Sequence, residues 1–223
     1  AVEAIRLLKP LKGEDPLQTL ARSVGIDPKV FSRLAPGESL ERAFDFFASV
    51  FHHNFGETPE RAAYKARQVM TPLARFAPFL KQTAFAVAPE SEGAAHLFTV
   101  PRPGSEVTSY LATLLPKSSR EKGVSPETLT FQIAWQAAHE SAHNMGSEIL
   151  SPTGSATPEE LNTWVKSMAS IEAIPPQERA PVMRSFLQLI VPPDRYNEVS
   201  KINMDRYADN PEEMLADFAA AIS

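Results

Sequence analysis

Proline repeatedly follows a residue able to cap a helix, and this pairing constrains the fold more than any other feature of the sequence. Such pairs include Asp15-Pro16, Asp27-Pro28, Thr58-Pro59, Thr71-Pro72, Ser125-Pro126, Thr157-Pro158 and Asn210-Pro211. In each, the first side chain offers an oxygen to the free N–H groups of a first helical turn. The proline suits that turn because it has no N–H to satisfy. Twenty prolines against nine glycines thus read mostly as helix starts. In "TPEE" at 157–160 and "NPEE" at 210–213 the last glutamate can close a capping box. The expected fold class is mainly α, with at most a small β-sheet.

Apolar periodicity between these starts predicts helices at about 16–24, 28–34, 38–54, 59–70, 72–83, 105–115, 126–146, 158–171, 176–191, 193–203 and 211–222. Strand signals are few. "AFAVA" at 84–88 and "AHLFTV" at 95–100 combine aromatic and β-branched residues between turn formers, so two or three short strands are the ceiling. The "APESEG" stretch at 88–93 is the expected seam between a helical N-terminal part, 1–90, and a C-terminal part, 91–223.

Composition removes several classes of function. With 22 basic and 27 acidic residues the chain lacks the basic excess that phosphate-backbone binding demands, so nucleic acid is not expected as a partner. No apolar run approaches the roughly 18 residues of a membrane span, and a soluble protein is expected. With no cysteine, any metal must be held by His, Asp and Glu.

The stretch "WQAAHESAHNMG" at 135–146 carries the chemistry. Ser125 and Pro126 open its helix, and Gly146 is placed to end it. At about 100° per residue, Phe131, Ala134, Trp135, Ala138, Ala142 and Met145 form one stripe expected to face the core. His139 and His143, one turn apart, project together along its flank. Two imidazoles at i and i+4 can share one zinc ion, while Glu140 lies too far round to ligate but can take a proton from an attacking water. The pattern is H-E-x-x-H. An amphipathic helix with two hydrogen-bonded core histidines is the plainer reading of the same residues.

A hydrolytic zinc site needs a third protein ligand. The string "HESAHNMG" matches the metzincin pattern H-E-x-x-H-x-x-G-x-x-H through Gly146, but Ile149 stands where its third histidine belongs, and no histidine follows His143. A carboxylate is needed instead. "NPEEMLADFAAA" at 210–221 places Glu213 and Asp217 at i and i+4 on one helix, the pattern E-x-x-x-D. With H-E-x-x-H, this resembles the gluzincin arrangement of thermolysin-like enzymes. "RYADNPEEMLADFAA" is also similar to the third-ligand segment of anthrax lethal factor and its relatives. Ala142 replaces that family's usual glycine, and the resemblance covers only two short segments.

The resemblance implies a zincin-like helical metalloprotease domain with Zn²⁺ held by His139, His143 and Glu213. It implies Glu140 as general base, Tyr207 as donor to the developing oxyanion and Asp217 as the residue orienting a ligand imidazole. The expected activity is that of a zinc endopeptidase with a protein or peptide substrate, and the resemblance suggests a toxin-like effector, secreted or translocated by a bacterium. Tyr196, Arg195, Arg206 and His96 are rival oxyanion donors. Glu212, Glu148 and Glu172 are alternative carboxylate ligands. His52 and His53 sit at an expected helix end and need no metal. The competing function is a non-catalytic helical interaction domain with a structural or degenerate zinc site. The segment between His143 and Glu213 is long enough for three helices.

Overall fold

The computed structural model describes residues 11–13, 22, 37–79, 83–88, 95–98, 109–114, 125–151, 156–199 and 202–223. Among them are seven α-helices and one three-stranded sheet, which agrees with a mainly α fold. None of the described helices is long and apolar enough to cross a membrane. The helices expected at 16–24 and 28–34 lie outside the described residues, apart from Arg22. The chain divides into two compact units between Ser141 and Ala142, within one continuous helix.

In the first unit, α1 (Gly37–Ser49) leads into a π-helical turn, Val50–Asn54, and α2 spans Pro59–Leu73. Leu40, Ala43, Phe44, Phe47 and Phe51 fall at helical spacing and are buried. Ala62, Ala63, Ala66, Val69, Met70 and Leu73 form the buried stripe of α2. Its alanines let the phenylalanines of α1 pack close, each worth about 1.5–3 kcal/mol of apolar burial. Phe46 and Phe47 also meet Phe85 of the sheet, at centroid distances of 6.2 and 6.0 Å. Thr58 caps α2 through the Arg61 N–H, as its pairing with Pro59 suggests.

Thr71-Pro72 departs from expectation. The Thr71 hydroxyl donates back to the Arg67 carbonyl at 3.0 Å, and Pro72 sits inside the last turn of α2. Near a helix end the hydrogen bond that proline forfeits costs little, so the pair does not start a helix over 72–83. A 3₁₀ segment, Ala74–Phe79, follows instead.

Strands β1 (Thr83–Ala88), β2 (Ala95–Phe98) and β3 (Ser109–Leu114) pair in the order β1-β3-β2. β1 is parallel to β3 with Thr83 opposite Ser109, and β2 is antiparallel with Phe98 opposite Ser109. β1 and β3 thus pair across residues 89–93, the part of the expected seam that is not described. β3 replaces the helix expected at 105–115. "SYLATL" carries tyrosine and threonine, which suit a pleated surface, and as central strand it forms ladders on both sides.

The helix α3 (Pro126–Leu150) runs through both units. Ser125 caps it through the Thr128 N–H at 3.1 Å. Its burial bears out Ala138 and Ala142 of the expected stripe but corrects the rest: Phe131, Ala134, Trp135 and Met145 are half-buried, whereas Ile133, Ala137, Glu140, Ser141 and Asn144 lie buried along another direction. All six residues from Ala137 to Ala142 are buried, so the middle of the helix has no solvent face.

The second unit continues α3 and adds α4 (Pro158–Glu172), α5 (Pro176–Ile190), α6 (Pro193–Val199), a 3₁₀ turn at Asp205–Tyr207 and α7 (Pro211–Ile222). Three helices therefore separate the two sequence motifs. Thr157 and Glu160 form the expected capping box. α7 packs on α4 and α5, with Phe186 and Phe218 stacked at 3.9 Å. Gly146 does not end α3. A Cβ there would lie 2.3 Å from Cζ2 of Trp164, so glycine marks where α3 admits the indole of α4.

Candidate metal centre

Each candidate side chain owes its place to local structure. His139 and His143 rise from one continuous helix, where four residues separate side chains on the same face by about 6 Å along the axis. Asn210 caps α7 through the Glu212 N–H at 3.2 Å and fixes the direction in which that helix leaves the preceding turn. Glu213 is therefore not needed as a capping-box residue, and its carboxylate points to His143.

Ligand atoms of His139, His143 and Glu213 all lie within 4.8 Å of one another. Among the described residues this is the only group of three such side chains placed to share a metal ion. The donor set fits zinc, which takes imidazole nitrogens and carboxylate oxygens as ligands. His139 and Glu140 are buried, and Glu140 follows its histidine on the buried side of α3.

His143 is held between two glutamates. Its Nε2 is 3.5 Å from Glu213 Oε1, and its Nδ1 is 3.3 Å from Glu212 Oε1. A histidine that binds metal through one nitrogen commonly gives the other N–H to a carboxylate, which sets the tautomer. Glu212 is suited to that task, a role distinct from the alternative ligand its sequence position suggests. Adjacent helical residues diverge by about 100°, so Glu212 and Glu213 can straddle one imidazole.

Behind Glu213 lies a charged network. Arg206 Nη1 is 3.0 Å from Glu213 Oε2, and Nη2 donates to Asp217 Oδ2 at 2.7 Å. The Tyr207 hydroxyl donates to the same Asp217 oxygen at 2.6 Å. Burial opposes the charge of Arg206, but Asp217 and Glu213 more than offset it and hold its pKa above the usual value. Tyr207 has no exposed surface and Asp217 only 1%. Burial first, and then the Asp217 charge, push the Tyr207 phenol well above its ordinary range.

The resemblance would have Tyr207 face an oxyanion, but its hydroxyl is given to Asp217 and its ring is enclosed, so it anchors the turn before α7. Asp217 accepts from both Arg206 and Tyr207 through Oδ2. Arg179 completes the anchoring. Its Nη1 donates to the carbonyls of Tyr207 and Ala208, both at 3.0 Å, and its Nε to that of Ile174 at 3.1 Å. Nothing local in "PPQERAP" announces the tie to this turn, because the acceptors there are backbone groups 28 and 29 residues on.

His52 Nδ1 lies 2.7 Å from the Glu57 carbonyl and its ring neighbours His53, at the end of the π-helical turn. His96 is on β2, and its side chain is outside the described set. Compared with known proteins, the chain matches no family model, no curated protein and no solved structure.

Proposed function

We propose that the protein is a zinc-dependent endopeptidase, with His139, His143 and Glu213 as ligands and Glu140 as general base. One observation carries this reading: Glu213, 70 residues beyond His143 in sequence, has its carboxylate among the two imidazoles of an H-E-x-x-H helix. A bound zinc ion would supply the polarisation of the attacking water and of the scissile carbonyl. Glu140 takes the water's proton on its carboxylate and passes it to the leaving amine. Its buried position keeps competing bulk water from that carboxylate and strengthens electrostatic interactions within the site. Glu212 holds the His143 Nδ1–H, leaving Nε2 for the metal.

Glu140→Gln tests the reading. The variant should keep its zinc and its far-UV circular dichroism while peptide hydrolysis falls roughly 10²- to 10⁴-fold. Undiminished hydrolysis would remove Glu140 from the chemistry. A second reading draws on the Arg206 ion pair, which already gives Glu213 a cationic partner: the domain is a helical interaction module with a structural or degenerate site. Under that reading Glu140→Gln changes nothing because the parent hydrolyses no peptide.

A further inference from the structure

We infer that Arg206 is a positioning residue that holds Glu213 as a one-oxygen metal ligand; this rests on the metal reading above. The two oxygens of Glu213 face different groups: Oε1 lies 3.5 Å from His143 Nε2, and the buried Oε2 lies 3.0 Å from Arg206 Nη1 as an ion pair without hydrogen-bond alignment. A guanidinium charge this close to Oε2 disfavours a second cation on that oxygen, so Oε1 is the oxygen offered to a metal. The guanidinium is itself held in place, because its other amino group binds Asp217, whose carboxylate is buried and also takes the Tyr207 hydroxyl. The planar fork of arginine can bridge two carboxylates in this way, and the ammonium of lysine cannot reproduce that geometry. Glu213 and Asp217 stand one turn apart on α7, so one guanidinium spans both.

The E-x-x-x-D pattern thereby acquires a function in this chain: Asp217 fixes Arg206, and Arg206 fixes Glu213. With the Arg206 charge against Oε2, Glu213 would offer a metal ion one oxygen. Two effects of removing Arg206 oppose each other. If it positions Glu213, its loss weakens metal binding. If it merely competes with the metal for Glu213, its loss strengthens binding.

The test is Zn²⁺ and Co²⁺ titration of the full chain and of Arg206→Gln and Arg206→Lys, with circular dichroism recorded on each. Arg206→Gln should bind Zn²⁺ roughly 10- to 100-fold more weakly, the usual effect of losing such a supporting contact. The visible absorption of its Co²⁺ form should lose intensity, as a carboxylate freed to bind through both oxygens raises the coordination number. Arg206→Lys, which keeps a charge beside Asp217, should fall between the two and carries the test if the glutamine variant does not fold. Equal or tighter metal binding with an unchanged Co²⁺ spectrum would overturn the inference and leave the metal centre standing. A parent chain that binds neither ion would remove the metal centre itself.

Discussion

Replacing Gly146 by alanine sets two effects of known size against each other. In the interior of an exposed helix the change should stabilise by about 1 kcal/mol, because glycine is the poorer helix former. Here the new methyl would lie 2.3 Å from Cζ2 and 2.6 Å from Cη2 of Trp164. These atoms belong to a rigid, buried ring, so either the indole or the helix must shift. Overpacking of this kind costs about 1–3 kcal/mol. With two ring atoms inside contact distance the upper half of that range applies, and the net expectation is destabilisation by about 1–2 kcal/mol. In a chain of this length that lowers the melting midpoint by roughly 2–8 °C.

The Trp164→Leu background isolates the cause. Without the ring the steric cost disappears and only the propensity gain remains, so Gly146→Ala should become stabilising there. The coupling between the sites should be about 2–3 kcal/mol, at the upper end for residues in contact. The assay is urea unfolding of the four proteins followed by far-UV circular dichroism. Stabilisation by Gly146→Ala in the parent background would refute the close approach of α3 and α4, and the same sign in both backgrounds would show that the indole is not the cause.

Other perturbations have equally definite outcomes. Tyr207→Phe removes one of the donors to the buried Asp217 carboxylate and should cost about 1.5–3 kcal/mol in urea unfolding, while leaving metal stoichiometry intact. Because the folded phenol's pKa is raised, its contribution is present below about pH 10 and is lost above it, so the parent should lose more stability than the variant in alkali. Burial raises the Asp45 carboxyl above its ordinary value of 3.8. Its folded state favours the protonated form, so stability is lost as pH rises from about 3.8 through the folded pKa. Asp45→Asn should therefore be more stable than the parent at about pH 7, with the gain vanishing below pH 3.8; a constant gain across pH would refute the burial argument. Glu212→Gln should weaken Zn²⁺ binding about tenfold, the low end of the usual range because Glu212 is 43% exposed; unchanged affinity would mean His143 is oriented by something else.

What can be read directly from the chain is chemistry that closes within a few residues. Thr58, Ser125 and Thr157 cap helices as their pairing with proline suggests, because a cap involves only the N–H groups of the next turn. The i and i+4 spacing of His139 and His143 needs nothing beyond a helix. Features that depend on distant partners escape such a reading. β3 looks helical until both neighbouring strands are supplied, and Gly146 looks like a helix end until Trp164 is placed against it. Thr71-Pro72 has the same local form as Thr58-Pro59, but it falls within a helix that has already begun. The proposed site divides in the same way: Glu213 is suggested by spacing and resemblance, whereas the contacts of Glu212, Arg206 and Arg179 depend on how α7 and its preceding turn fold back within the second unit.

The central claim is that two histidines and Glu213 hold one zinc ion. Elemental analysis of the purified, tag-free chain beside His139→Ala and Glu213→Ala tests it most directly. One zinc per chain in the parent, lost from both variants while their helical circular dichroism persists, is the expected result. A parent that cannot be loaded with zinc, or variants that retain it, would contradict the claim and leave "HESAH" as a helix whose histidines serve packing alone.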